Sequence, residues 1–214
     1  GAFALGWYQD YYGIPYPTEK CDMIALPDFA AGAMENLGCI TYRESLLLVD
    51  EAHSTQAEQQ VLADVITHEL AHMWFGDLVT MSWWNGIWLN EAFATFMEVE
   101  CCANYRPDWK RWATFGLERS VAFETDALVA TRSVEFPVEA PDDCQGMFDV
   151  LTYQKGGALL RMLQQYLGEQ EFRRGVQHYL SSHAYGNTET SDLWDAIEAV
   201  NPHTPVRRMM DSWI

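Results

Sequence analysis

One stretch, from Val61 to Gly76, constrains this chain more than any other part of its sequence. It reads VLADVITHELAHMWFG and contains the pattern H-E-x-x-H at His68, Glu69 and His72. Residues four apart lie on one face of an α-helix, so the two histidines can direct their imidazoles at one metal ion. Glu69 lies beside that face, where a carboxylate can act on a water molecule. The pattern is typical of zinc hydrolases, although it also arises by chance in ordinary core helices.

The residues around this pattern predict a helix. Apolar side chains recur at helical spacing on both sides of the histidines. Thr55 followed by Glu58 is a capping-box pattern that predicts the start of the helix, and Gly76 is expected to end it. The periodicity places both histidines on the buried side and Glu69 on an apolar stripe. Because burial disfavours a charged carboxylate, the pKa of Glu69 is expected to rise toward that of a useful general base.

A catalytic zinc site has three protein ligands, and Glu91 is the candidate for the third. It follows His72 after eighteen residues, in the segment WLNEAFATFMEVE, whose apolar residues also recur at helical spacing. A glutamate near the start of a second helix can lie opposite the histidine pair. Glu98, on the same face as Glu91, is a candidate acceptor for the second ring N–H of a ligand histidine. A solvated helix carboxylate is an equally good interpretation of Glu98.

The sequence resembles the zinc aminopeptidases of the aminopeptidase N type, which belong to the gluzincin metallopeptidases. HELAH, followed after eighteen residues by the glutamate of WLNEAFA, matches the zinc-ligand pattern of that family. GAMEN at residues 32–36 matches its exopeptidase motif, and YQKG at residues 153–156 matches its Y-x-K-G segment. The three motifs occur in the family's order, and the resemblance extends from about Tyr8 to the C-terminus.

The resemblance implies a set of roles for the residues around the metal. It implies one zinc ion per chain, with His68, His72 and Glu91 as the ligands. Glu69 is implied to be the general base in the hydrolysis of an N-terminal peptide bond. Tyr153 is implied to be the catalytic tyrosine. A phenol near the metal can donate a hydrogen bond to the oxyanion of a tetrahedral intermediate.

The GAMEN segment is implied to bind the substrate. Glu35 is expected to bind a free α-ammonium group through a charge-assisted hydrogen bond. Gly32, Ala33 and Met34 lie between two predicted strands, where a strand edge can pair with the backbone of a peptide. Gly32 would allow that backbone to approach closely. A loop carboxylate facing water is the alternative for Glu35, and the complete motif weighs against it.

The predicted fold is of the α+β class, with a thermolysin-like metallopeptidase architecture. A small N-terminal β-sheet, with strands expected within residues 22–29 and 38–50, is followed by a mainly helical region. Beyond the two metal-site helices, further helices are expected from Pro107, in the segment ending at Gly168, and over residues 169–183 and 191–200. The tryptophans between the two metal-site helices are candidates for the cleft wall or for the core.

Composition limits the partners of the chain. The net charge is −18, which argues against nucleic acid, since phosphate binding requires basic patches. No apolar run approaches the ~20 residues of a membrane span. The five cysteines include no C-x-x-C pair. They therefore argue against a structural zinc site, and they favour a reducing compartment such as the cytoplasm. The family resemblance implies that peptides with free N-termini are the substrates.

We interpret residues 1–214 as a single catalytic domain excised from a larger multidomain protein. The chain does not begin with Met, and in the resembled family a β-rich domain precedes this region and further domains follow it. Three alternatives stay open. A thermolysin-like endopeptidase would have no use for Glu35. An epoxide hydrolase activity can accompany peptidase activity in the resembled family. A catalytically inactive homologue that binds proteins would be expected to lose a ligand or Glu69.

Overall fold

The two helices that the sequence predicts for the metal site, one carrying the H-E-x-x-H pattern and the other carrying Glu91, contact each other in the core of the molecule. A computed structural model describes residues 1–50 and 52–214. The helix of Glu91 is apolar on nearly all sides and is buried along most of its length. A helix that is apolar all round is a core helix, so the other elements are arranged around it.

The bounds of the elements are as follows. The helices are α1 (Ala2–Tyr12), α2 (Gln56–Ala71), α3 (Trp88–Tyr105), α4 (Arg111–Asp126), α5 (Gly156–Leu167), α6 (Glu169–Ser182), α7 (Thr190–Val200) and α8 (Val206–Met210). The strands are β1 (Asp22–Leu26), β2 (Ala33–Met34), β3 (Cys39–Arg43), β4 (Val79–Met81) and β5 (Gly186–Thr188). A five-residue π-helical turn, Leu151–Lys155, leads directly into α5.

The N-terminal sheet has three strands in the order β1-β3-β2. The central strand β3 pairs in parallel with β1 and antiparallel with β2. The β2 strand belongs to the GAMEN segment and lies at the edge of the sheet, with Ala33 opposite Tyr42 and Met34 opposite Thr41. An edge strand keeps hydrogen-bonding groups on its outer side, as pairing with a peptide requires. The predicted α+β class with a small N-terminal sheet is therefore confirmed.

Helix α1 ties the two central helices together. The buried hydroxyl of Tyr8 lies 2.8 Å from the carbonyl oxygen of Thr67 on α2 and 3.2 Å from that of Met97 on α3. These two carbonyls immediately precede His68 and Glu98 in the sequence. One phenol thus fixes the spacing of the two helices at the level of the predicted metal site.

Several details differ from the sequence prediction. The capping box of Thr55 and Glu58 is present as predicted, but α2 ends at Ala71 rather than at Gly76. Gly76 has a φ of 134° and occupies a tight turn, which a residue with a side chain would strain. Val61 shares the helix face of His68 and His72, which the periodicity predicts to be buried, yet it is 47% exposed and lies at the cleft.

Two further elements were not predicted. A second small sheet pairs β4 in parallel with β5, more than a hundred residues away in the sequence. Three-residue strands are too short to produce a periodic pattern, so the sequence alone does not indicate them.

Within residues 1–50 and 52–214, none of the helices combines the length and the apolar character that crossing a membrane would require.

Candidate active site

The predicted site residues come together in one cleft of about 720 Å³. The edge strand β2 forms one wall, α2 and α3 form the floor, and the segment that leads into α5 forms the opposite wall. Of the residues predicted from the sequence, the cleft is lined by Gly32, Ala33, Met34, Glu35, His68, Glu69, His72, Glu91, Glu98 and Tyr153. The motifs are separated by up to about 120 residues in the chain, so this convergence depends on the fold.

The two histidines and Glu91 form a compact group of ligand atoms. One atom from each of the three residues lies within 4.8 Å of the others. The Oε2 atom of Glu91 is 3.2 Å from Nε2 of His68 and 3.3 Å from Nε2 of His72. All three residues are almost completely buried. These residues are the one group within the described part of the chain that could hold a metal ion.

The outer ring nitrogens of both histidines have hydrogen-bond acceptors. Nδ1 of His68 is 2.8 Å from Oε2 of Glu98, and Nδ1 of His72 is 2.9 Å from the carbonyl oxygen of Phe75. A proton on each Nδ1 leaves each Nε2 with a free lone pair directed toward Glu91. Two imidazole nitrogens and one carboxylate, with carboxylate and carbonyl acceptors behind the imidazoles, are a donor set that suits zinc. The residues therefore fit a zinc ion.

The three candidate ligands strongly affect each other's ionisation. Burial acts to lower the pKa of His72, but the charge of Glu91 and a hydrogen bond to it outweigh burial and raise that pKa to about 9. Burial likewise opposes a charge on His68, whose pKa the two glutamates raise well above its usual value. Burial alone would raise the pKa of Glu91, yet the two histidines lower it strongly. The carboxylate and the imidazoles thus stabilise each other's charges.

Glu69 is buried beside the ligand group, with only 6% of its surface exposed. Its Oε2 atom lacks a hydrogen-bond partner among the residues that the structure describes. Burial raises the pKa of Glu69 to about 7, as expected from the sequence, and the charges of His68 and His72 act against this increase. A buried carboxylate with a free oxygen is costly for a fold to maintain. It is also suitably placed and tuned to accept a proton.

Tyr153 faces the ligand group from the π-helical turn before α5. Its ring lies over that of His68, with 6.0 Å between the ring centroids and 21° between the planes. Burial raises the pKa of Tyr153 far above its usual value, and the charge of Glu91 raises it further. The phenol therefore keeps its proton at any ordinary pH and can act as a hydrogen-bond donor in the cleft.

The GAMEN segment places its carboxylate in the same cleft. Glu35 follows β2 and is half-buried, close enough for its charge to raise the pKa of Glu69 and His72. Gly32, at the start of the segment, accepts a hydrogen bond from the backbone N–H of Arg43. The segment therefore has one side joined to the sheet and the other side directed toward the cleft.

The structure also adds residues that the sequence analysis did not single out. Of the three tryptophans within residues 77–88, Trp84 lines the cleft and Trp88 is fully buried in the core. Trp83 is half-exposed and donates a hydrogen bond to the carbonyl oxygen of Val138, so neither interpretation applies to it.

Gln145, Phe148 and Gln154 line the wall near Tyr153. Gln145 lies in a 3-10 helix, Pro141–Met147, and Phe148 follows it directly. That segment carries no motif, so only Gln154, inside YQKG, could have been found from the sequence.

A family model and several known proteins are similar to nearly the whole chain. Residues 2–213 match the family model described as the peptidase family M1 domain. The chain is 47% identical over 206 residues to aminopeptidase M1-A of Oryza sativa subsp. japonica, which covers 96% of this chain and 23% of that protein. It is 46% identical to aminopeptidase M1 of Arabidopsis thaliana, over 100% of this chain and 24% of that protein.

A third relative is also similar to nearly the whole chain. The chain is 46% identical to aminopeptidase N of Lactococcus lactis subsp. cremoris, over 99% of this chain and 25% of that protein. The chain thus spans about a quarter of the length of the curated relatives it matches. Since the family model covers nearly every residue and the relatives are similar along the whole chain, the chain belongs to peptidase family M1.

Proposed function

We propose that residues 1–214 are the catalytic domain of a zinc aminopeptidase, which removes N-terminal residues from peptides. The observation that carries the proposal is the convergence in one cleft of a three-residue ligand group, a buried free carboxylate and the GAMEN glutamate. The relatives are named aminopeptidases and are about four times as long as this chain. Their length supports a larger parent protein with flanking domains.

Each residue has a distinct task in the proposed reaction. His68, His72 and Glu91 would hold the zinc ion, one per chain, and Glu98 would orient His68. A bound zinc ion polarises the scissile carbonyl and makes water a better nucleophile at neutral pH. Glu69 takes a proton from the attacking water and delivers it to the leaving amine.

Tyr153 and the GAMEN segment hold the substrate during this reaction. The phenol of Tyr153 donates a hydrogen bond to the oxyanion, which develops fully only in the transition state. Glu35 binds the α-ammonium group, and the edge of β2, including Gly32, Ala33 and Met34, pairs with the substrate backbone. This arrangement fixes the scissile bond one residue from the amine and thus makes the enzyme an exopeptidase.

A comparison of free and blocked peptides tests the proposal. The zinc-loaded chain should cleave a peptide with a free N-terminus and leave its N-acetylated counterpart intact. Glu35→Ala should weaken cleavage of the free peptide, whereas Glu44→Ala should not, because Glu44 is an exposed glutamate outside the cleft. Equal cleavage of both peptides by the unmutated chain would instead favour an endopeptidase.

A second experiment separates the base from the ligands. Glu69→Gln should abolish hydrolysis and keep the bound zinc, because Glu69 lies beside the ligand group and is not part of it. Loss of zinc from this variant, measured by elemental analysis, would make Glu69 a ligand. An unmutated chain that binds zinc and hydrolyses neither peptides nor epoxides would point to the inactive, protein-binding alternative.

A further inference from the structure

Arg132 lies outside the cleft but makes three polar contacts with residues shortly before Tyr153, and two more within its own segment. Its Nη2 atom is 2.6 Å from Oδ1 of Asp149, 2.9 Å from Oγ1 of Thr152 and 3.4 Å from the carbonyl oxygen of Met147. Its Nη1 atom donates to the carbonyl oxygens of the two residues that follow it, at 2.8 and 3.1 Å. The side chain is only 14% exposed.

Asp149 connects Arg132 to the π-helical turn through hydrogen bonds. The oxygen that accepts from Arg132 also accepts from the backbone N–H groups of Leu151 and Thr152, at 2.9 and 3.1 Å. The carbonyl oxygen of Asp149 accepts from the N–H of Tyr153, at 3.1 Å. Asp149 thus caps the start of the turn in the way that a side chain caps a helix N-terminus. Arg132 fixes the orientation of that cap.

The far end of the same turn is held by a separate ion pair. Nζ of Lys155 lies 2.9 Å from Oδ2 of Asp126 at the end of α4. A π-helical turn has wider hydrogen bonding than an α-helix and is rarely stable without outside support. Here the N–H of Lys155 bonds to the carbonyl oxygen of Val150, five residues earlier. The two ion pairs supply support at both ends, with Tyr153 between them.

We propose that Arg132 is a positioning residue, which acts through Asp149 to hold the phenol of Tyr153 against the metal site. The inference rests on the proposed function, because it concerns the role of Tyr153 in the reaction. Arg132 touches no residue of the ligand group in the structure and would not touch substrate. Its effect on turnover is therefore exerted through the position of the π-helical turn. A displacement of about 1 Å at a catalytic group can reduce turnover about a hundredfold.

A double-mutant cycle separates positioning from general stability. Arg132→Gln should lower kcat at least tenfold and change KM less than twofold, with zinc content unchanged. Tyr153→Phe alone should lower kcat by about 10²–10³. In the Tyr153→Phe background, Arg132→Gln should lower kcat by less than threefold, because the group that it positions is already absent. Arg207→Gln is the control for loss of an arginine–aspartate pair, since Arg207 pairs with Asp195 at the surface and neither residue lines the cleft.

A spectroscopic measurement tests the same idea without turnover. In protein labelled with 3-fluorotyrosine, the ¹⁹F resonance of Tyr153 is the one missing from Tyr153→Phe. In Arg132→Gln this resonance should shift or broaden, while the resonance of Tyr8, whose hydroxyl bonds to the backbone of α2 and α3 and not to the π-helical turn, should not change. In Arg207→Gln both resonances should remain as in the unmutated protein.

The outcomes distinguish the inference from the function on which it rests. Full kcat for Tyr153→Phe would remove the proposed role of Tyr153 and the inference with it. A large loss for Tyr153→Phe, combined with an equal loss for Arg132→Gln in both backgrounds, would overturn the inference alone. If Arg132→Gln does not fold, Asp149→Asn keeps the backbone acceptor and removes only the ion pair. That variant should show the same non-additivity and the same ¹⁹F change, and the absence of both would refute the inference.

Discussion

At Gly156 the chain that follows Tyr153 packs closely against helix α3. A Cβ atom added at Gly156 would lie 2.6 Å from the Cβ of Ala92, the residue after Glu91. Two carbon atoms in contact are normally about 3.5–4.0 Å apart. Gly156→Ala therefore requires α5 and α3 to separate by about 1 Å. Because the π-helical turn leads directly into Gly156, this separation also moves Tyr153 away from the ligand group.

The expected cost follows from these distances. Forcing an extra methyl group into a packed contact costs about 1–3 kcal/mol. Replacing a helical glycine by alanine stabilises the folded state by about 0.5–1 kcal/mol, because less backbone entropy is lost on folding. The net destabilisation should be about 1–2 kcal/mol. Gly116→Ala is the matched control, because Gly116 lies within α4 and an added Cβ there meets nothing within 4 Å. That substitution should stabilise the protein by about 0.5–1 kcal/mol.

A second substitution can relieve the clash. Ala92→Gly removes the methyl group at 2.6 Å and leaves the new Cβ with ordinary contacts, at 3.6 Å to Val134 and 3.8 Å to the Cα at position 92. Ala92→Gly alone should cost about 1 kcal/mol, as glycine does within a helix. Combined with Gly156→Ala, the two changes should be less destabilising than their sum by about 1 kcal/mol or more.

Urea unfolding of the metal-free unmutated protein and of the four variants measures these free energies, and kcat of the zinc-loaded proteins reports the position of Tyr153. We expect Gly156→Ala to lose turnover and Ala92→Gly to restore part of it in the double variant. The argument would be refuted if Gly156→Ala were as stable as Gly116→Ala, or if the two changes were additive. Either result would mean that the contact at 2.6 Å relaxes without moving the helices.

Three further predictions concern the surroundings of the site. Tyr8→Phe should lower the free energy of unfolding by about 1–2 kcal/mol in urea titrations, because it removes the hydroxyl that bridges α2 and α3; an unchanged midpoint would show that the bridge contributes nothing. Glu98→Gln should weaken zinc binding about 10–100-fold in chelator competition, since it removes the charged acceptor behind His68; equal affinity would leave Glu98 a passive neighbour. Lys155→Met should cost about 0.5–1 kcal/mol at neutral pH. A hydrogen bond from Lys155 lowers the pKa of Asp126 in the folded protein. The stability that the ion pair contributes is therefore fully present above the pKa of an unfolded aspartate, about 3.9, and is lost as the pH falls through the lower pKa of Asp126 in the folded protein. A destabilisation by Lys155→Met that persists at pH 2 would contradict the assignment.

The parts of the site that could be predicted depend on local spacing. Two histidines four residues apart share a helix face in any helix, and the capping box at Thr55 is a relation within four residues. The burial of Glu69, and with it the raised pKa, follows from the apolar residues on its own stripe. The family resemblance then connected the distant motifs, since spacing alone does not show that Glu35 and Tyr153 meet the histidines.

The remaining features depend on contacts that spacing does not encode. Helix α2 ends at Ala71 because the turn that follows brings the carbonyl oxygen of Phe75 back to His72. The π-helical turn of Tyr153 depends on Arg132, which is 21 residues earlier in the chain. Such a turn is one residue wider than an α-helical turn, and its sequence carries no separate signal. Both features position candidate catalytic residues. The sequence therefore identifies these residues more fully than it predicts the contacts that fix their positions.

The charges of the cleft argue for a function that needs two cations. Five carboxylates line it, from Glu35, Asp64, Glu69, Glu91 and Glu98, and among the described lining residues there is no lysine or arginine. Asp64 pairs with Arg111 outside the cleft, which leaves four carboxylates without a basic partner of this kind in the described part of the chain. Burying such charges is unfavourable, and a protein that used the fold only as a scaffold would gain stability by losing them. A divalent metal ion beside Glu91 and a substrate ammonium group beside Glu35 would offset most of this charge. The cost in stability is thus explained if both cations bind there, as a zinc aminopeptidase requires.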